Sequence, residues 1–249
     1  MCIFSRDVDE VFGTKIFARL STNGSQFLVY SMGYAADLEL AMILPLPTPV
    51  TCAEDAIRFI DLSDYPEFFD DMSRVFPAPR SVSLNSKSVL KVHSVGHFET
   101  SFVPHSSAFN RLDPRFRLPD QLWAQLPQYR DYGFAVFKLK AGENEVHPMA
   151  FEFPTCYPTT LFFPTVHIHD GQVHAHAQFN HILYCQADGF HQNWEHSVDS
   201  SSRFQPINAM QFVDMEKSQG VVEPTLPIQK LHISGMQANT DFLLDQVPM

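Results

Sequence analysis

The chain has 249 residues, 45% of them apolar, and its 23 Phe supply material for a sizeable core. Its formal charge is −11, from 17 basic against 28 acidic residues, and no basic run or stripe appears, so a nucleic-acid backbone is excluded as the main partner. No run of about 18 apolar residues suggests a membrane span. The start, Met-Cys-Ile-Phe-Ser-Arg-Asp, has neither the basic region nor the long apolar region of a secretory signal. Cys2, Cys52, Cys156 and Cys185 are widely spaced and form no C-x-x-C pair, which reads as a cytoplasmic protein with reduced thiols.

Alternating β-rich runs open the chain at residues 2–5, 14–20 and 26–32, and Asn23-Gly24 between the last two is a hairpin signal. An apolar run over 38–46 ends at the prolines of 45–49. Thr51 with Glu54 three residues on has the form of a helix capping box, and the pattern predicts helices over 52–60 and 64–75. Residues 74–80 carry two prolines and read as a linker. Beyond it, strands are expected at 89–93 and 98–103, helices at 106–112 and 120–129, and strands at 132–140, 149–153, 161–169, 172–179 and 181–186. Short elements are expected at 231–233 and 242–244. The expected fold class is α+β, mainly antiparallel sheets with a few flanking helices. It forms either one domain or two β-rich lobes, 1–76 and 81–249.

The chemistry-bearing residues concentrate in one place. From Thr165 to Tyr184 the chain carries five of its twelve histidines within fifteen residues. Asp170-Gly171 sits between two alternating runs, so a hairpin is expected there, pairing His167 with His174. Period-two alternation then sets His167, His169, His174 and His176 on one face and Val166, Ile168, Val173, Ala175 and Ala177 on the other. Four imidazoles on one patch suit a divalent transition metal such as Zn, Cu or Fe, with His167, His169 and His174 as first ligands and His176 as fourth or outer. The bland rival is a solvated face of an amphipathic hairpin. His181 falls with Phe179 on the apolar side and reads as a core histidine, or one that orients a ligand. His191 and His196, flanking Trp194, read as exposed loop residues, and Glu152, Asp170, Cys185 and Glu195 are further donors in sequence terms.

Several segments resemble a family of bacterial proteins of unknown function. They are Cys2 followed by the strand Ile16-Phe17-Ala18, the stop Leu44-Pro45-Leu46-Pro47, then Val95-Gly96, Arg117-Leu118-Pro119, Tyr132-Gly133-Phe134 and His147-Pro148. The similarity spans about residues 1–165 and implies a β-rich fold with a cysteine on its N-terminal strand. Members usually carry an export signal and a Cys-Gly-Gly start; this chain has neither, so secretion is not implied.

Cys2 also offers a second chemistry. Removal of Met1 would expose an α-amine, of reference pKa near 8, beside the thiol, the arrangement of an N-terminal-nucleophile hydrolase, with Arg19 orienting the substrate. A buried, inert cysteine is the alternative, as is a hybrid in which the Cys2 thiolate joins the histidines. A third reading is a binding or structural protein without chemistry, whose small-molecule or peptide partner the sequence does not name. Common nucleotide-binding and hydrolase motifs are absent.

Overall fold

The computed structural model describes residues 3–76, 99–187, 189, 191–198 and 205–246. The expected strand at 89–93 and most of the 74–80 linker lie outside them. In chain order the strands are β1 (Ile3–Phe4), β2 (Glu10–Leu20), β3 (Ser25–Ala36), β4 (Leu40–Leu46), β5 (Arg58–Asp61), β6 (Thr100–Val103) and β7 (Gly133–Leu139). They continue with β8 (Gly142–Glu145), β9 (Met149–Pro154), β10 (Thr160–Phe163), β11 (His176–Gln186), β12 (Glu195–His196), β13 (Gln229–Ala238) and β14 (Phe242–Asp245). The α-helices described, α1 (Phe68–Ser73) and α2 (Asp120–Trp123), are both short. The fold is therefore mainly β.

One sheet has the order β1-β4-β7-β6 and is antiparallel throughout. A larger sheet runs β12-β13-β11-β2-β3-β9-β5, with β8 also paired to β3; β11 and β2 are parallel and the other pairs antiparallel. β10 and β14 form a separate pair. Strands from before residue 77 pair with strands from after residue 98 in both sheets, β4 with β7 in the small one and β2 with β11, β3 with β9 and β5 with β9 in the large one.

Side-chain alternation decides the layers. Ile16, Ala18, Leu28, Tyr30, Phe151 and Phe153 of the large sheet face Met42, Leu44, Ala135 and Phe137 of the small one and form the central core. The intervening residues Phe17, Val29, Ala150 and Tyr184 face the other way, under α1 and the 209–228 segment. The outer face of the small sheet, Ala41, Ile43, Phe134 and Val136, is covered by the helical turns of 106–129 and by Val166 and Ile168.

The Asn23-Gly24 turn forms as its sequence dictates. Gly24 takes φ +81°, Asn23 Oδ1 accepts from the Ser25 amide at 3.0 Å, and Leu20 faces Gln26 across the hairpin. The expected helix at 52–60 does not form. Phe59 packs edge-on to Phe137, and residues 58–61 pair with β9 instead. Glu54, the expected capping acid, binds Arg111. The 64–75 helix shortens to α1, the 106–112 helix becomes a 3₁₀ stretch over Ser106–Arg111, and Pro127 divides the 120–129 helix into α2 and a 3₁₀ turn. Among the described residues no helix is long and apolar enough to cross a membrane, a statement that does not bear on strands.

Candidate functional site

Asp170-Gly171 turns, but its arms do not pair. Gly171 has φ +69° and Asp170 Oδ1 accepts from the Gln172 amide at 3.1 Å, so the local geometry is that of a turn. The segment before it is buried on both sides: Thr165, Val166 and Ile168 are at most 1% exposed and His167 only 7%. Its hydrogen bonds go to distant residues. Asp241 Oδ1 accepts from the amides of Thr165 (2.9 Å) and Val166 (3.1 Å), and Asn239 Oδ1 accepts from the His167 amide (2.6 Å). Asn239 Nδ2 returns bonds to the carbonyls of His167 (2.8 Å) and His174 (3.0 Å). On the other side Phe4 N donates to the Ile168 carbonyl and Val8 N to that of His169, with Ile3 bridged in parallel to Ile168. The amide of His167 and the carbonyls of His167, His169 and His174, which the hairpin would have paired, are thus bonded to residues far away in the chain.

The histidines sort accordingly. His167 and His169 lie on the same side of their segment with rings stacked, centroids 5.3 Å apart and planes 17° apart. The third ring in contact is His181 on β11, 4.9 Å from His167 at 29°. Phe179 packs on His167 at 4.3 Å, and Phe4 meets His169 edge-on at 5.4 Å. His174 and His176 are exposed and stand outside the cluster; His174 Nε2 donates to Asp170 at 2.8 Å. The expected four-histidine face is corrected to a three-ring cluster in which His181 replaces His174 and His176.

Burial dominates the electrostatics. It pushes the His167 pKa down to about 2 and that of His169 to about 4, and it lowers that of His181 as well. The rings are neutral at pH 7. Asp241 is displaced the other way, its carboxyl pushed up by burial against the opposing pull of bonds from Tyr129 Oη (2.6 Å) and the Val166 and Thr165 amides. Hydrogen bonding to His174 holds Asp170 below the usual carboxylate range. Beside the cluster opens a cleft of about 400 Å³, lined by Phe179, Thr165, His232, Asp241 and Phe242 among others.

The remaining expected donors are engaged elsewhere. Glu152 accepts from Ser25 Oγ and from Arg58 at 2.7 Å; Glu195 pairs with Lys230 at 3.2 Å; Cys185 is fully buried, and burial pushes its thiol up. His191 and His196 are half-buried. Cys2 lies outside the described residues. Arg19 donates to the carbonyls of Val221 (2.9 Å) and Gly220 (2.8 Å) and stacks on Phe27 at 4.4 Å, a structural role. Asn239 and Asp241, whose side chains hold the backbone beneath the cluster, stood out in no sequence pattern. The polar triplet Asn239-Thr240-Asp241 between two apolar runs is their one visible trace.

The fold is similar to that of baculovirus P35. Its crystal structure matches with a TM-score of 0.54 over 99% of this chain and 100% of that one, at 11% sequence identity. A mutated baculovirus P35 after caspase cleavage gives 0.48 at 14% identity, covering 95% of this chain and 100% of that one. P35 in complex with caspase-8 gives 0.45 at 12% identity, covering 94% and 96%. At these identities the likeness concerns the fold alone. No protein-family model matches the chain. The neighbours named here are baculoviral, not members of the bacterial family that the Leu44-Pro45-Leu46-Pro47 segment resembles.

Proposed function

We propose that this chain acts by binding another protein, a proteolytic enzyme of the caspase kind. The observation that carries the reading is the likeness of fold to baculovirus P35 along nearly the whole of both chains. P35 itself has been captured with caspase-8 and in a caspase-cleaved form. Surface features agree with a protein partner. From Leu231 to Ala238 the outer edge of β13 has no strand beside it among the described residues, since β12 covers only Gln229 and Lys230. Such an edge offers main-chain donors and acceptors to an extended segment. The 400 Å³ cleft adjoins it, lined in part by Ile233, Ser234 and Gln237 of the same strand.

The test is a titration of caspase-8, and then of a caspase panel, with the purified chain. Peptide hydrolysis is expected to fall in proportion to added protein, with a complex on gel filtration and a cut whose position mass spectrometry reports. Unchanged hydrolysis at tenfold excess, with no co-elution for any member of the panel, would overturn the reading.

A further inference from the structure

Two ring nitrogens in the cluster call for an explanation. His167 Nε2 and His169 Nε2 are both buried, and neither has a hydrogen-bond partner among the described residues. Buried polar atoms are ordinarily satisfied, and two orphans on neighbouring, nearly parallel rings are a conspicuous exception. We propose that these two atoms are the primary ligands of a metal ion, and that the ion is monovalent copper. The inference is independent of the caspase reading.

Backbone geometry supports it. Alternate residues of an extended segment point the same way, so the H-x-H pair presents two like nitrogens side by side. Asn239 grips the His167 amide and carbonyl, while Phe4 N and Val8 N hold the carbonyls of Ile168 and His169. With the main chain fixed at both residues, only ring torsions need adjust to converge the nitrogens. Among the described residues no three His, Cys, Asp or Glu side chains already converge as a ligand set. What stands preorganised is a pair, with the His181 ring 4.9 Å from His167 as the third imidazole within reach.

Charge decides which ion. Phe4 packs on the His169 ring and Phe179 on that of His167, so apolar side chains flank the pair. The cost of moving an ion out of water rises with the square of its charge, and zinc in protein sites takes four ligands, more than the pair of nitrogens and the third ring supply here. Asp170 is exposed and bonded to His174, and Asp241 is taken up by Tyr129 and two amides. A single positive charge held by two or three neutral nitrogens suits the pocket, and imidazole is a good copper ligand.

The experiment is an anaerobic titration of Cu⁺ against a chromophoric chelator, with ascorbate present throughout. One equivalent is expected to pass to the wild-type chain. His167→Gln and His169→Gln should each weaken binding at least tenfold, while the His174→Ala/His176→Ala variant should bind as the wild type does. Imidazole ¹⁵N spectra of the wild-type protein supply a readout that survives a misfolded variant: Cu⁺ should move the His167 and His169 signals. Binding undiminished in both glutamine variants, binding lost with His174 and His176, or unmoved His167 and His169 signals would each overturn the site. Zn²⁺ moving those two signals at the same concentration would overturn the choice of a monovalent ion.

Discussion

Acidification should destabilise this protein through its buried imidazoles, by an amount the structure fixes. His167 and His169 have folded pKa values of about 2 and about 4 against an ordinary 6.5. The unfolded chain therefore binds protons that the folded chain refuses. Stability is fully present above about pH 6.5 and falls with pH below that, down to about 4 for His169 and about 2 for His167. At pH 5 each of these two rings costs RT ln(1 + 10^1.5), or about 2 kcal/mol, and His181 is lowered in the same direction. Together His167 and His169 remove about 4 kcal/mol, a large part of a typical domain's 5–15 kcal/mol. Asp241 works oppositely, because its raised pKa makes protonation favour the folded state. A difference between variants cancels its contribution. The assay is urea unfolding at pH 7.0 and 5.0 for the wild type, His167→Gln and His169→Gln. Each variant should lose about 2 kcal/mol less than the wild type between the two pH values. Equal losses in wild type and variants would mean that these rings take up protons while folded, and the burial argument would fail.

Other consequences of the geometry can be checked by denaturation. Asn239→Ala removes three bonds to the backbone at residues 167 and 174 and should cost about 2–4 kcal/mol, with lost exchange protection at the His167 amide. Asn239→Asp keeps the acceptor and should fall between that variant and the wild type. Gly133→Ala would place a Cβ 2.6 Å from the Phe102 ring and 2.7 Å from Thr48 Oγ1, the group that accepts from the Gly133 amide, so a loss of about 1–3 kcal/mol is expected in urea midpoints. Arg19→Lys cannot reproduce both carbonyl bonds and the Phe27 stack, and should lower the melting temperature while leaving the stoichiometry of partner binding intact. Loss of binding in a folded Arg19→Lys protein would mean that the arginine does more than brace Val221 and Gly220.

Two turn signals of the same kind had opposite outcomes, and they mark how much of this fold the sequence made legible. Asn23-Gly24 and Asp170-Gly171 each separate alternating runs, and each glycine adopts positive φ. At the first, the flanking strands pair with each other over Phe17–Leu20 and Gln26–Val29, so local pattern and tertiary structure agree. At the second, Asn239, Asp241, Phe4 and Val8 take the hydrogen bonds that the hairpin needed. Partners 72–76 positions away, and in the case of Phe4 and Val8 more than 160, leave no mark on a local period. The same cause explains the histidines. That His167 and His169 share a face follows from alternation alone, whereas the third ring was settled by β11 pairing with β2, which sets His181 opposite Thr14 and near His167. The exposed His174 and His176 match the sequence pattern as well as the buried ones do.

By itself the sequence determined the β-rich class, most strand positions, the first hairpin and the stretch of chain where histidines gather, because each depends on residues within a few positions of one another. Tertiary structure alone decided the order of strands in the sheets, the loss of the 52–60 helix to an edge strand, and which three imidazoles meet. Those outcomes turn on competition for hydrogen bonds and buried surface between segments far apart in the chain, and local periodicity carries no record of which competitor wins.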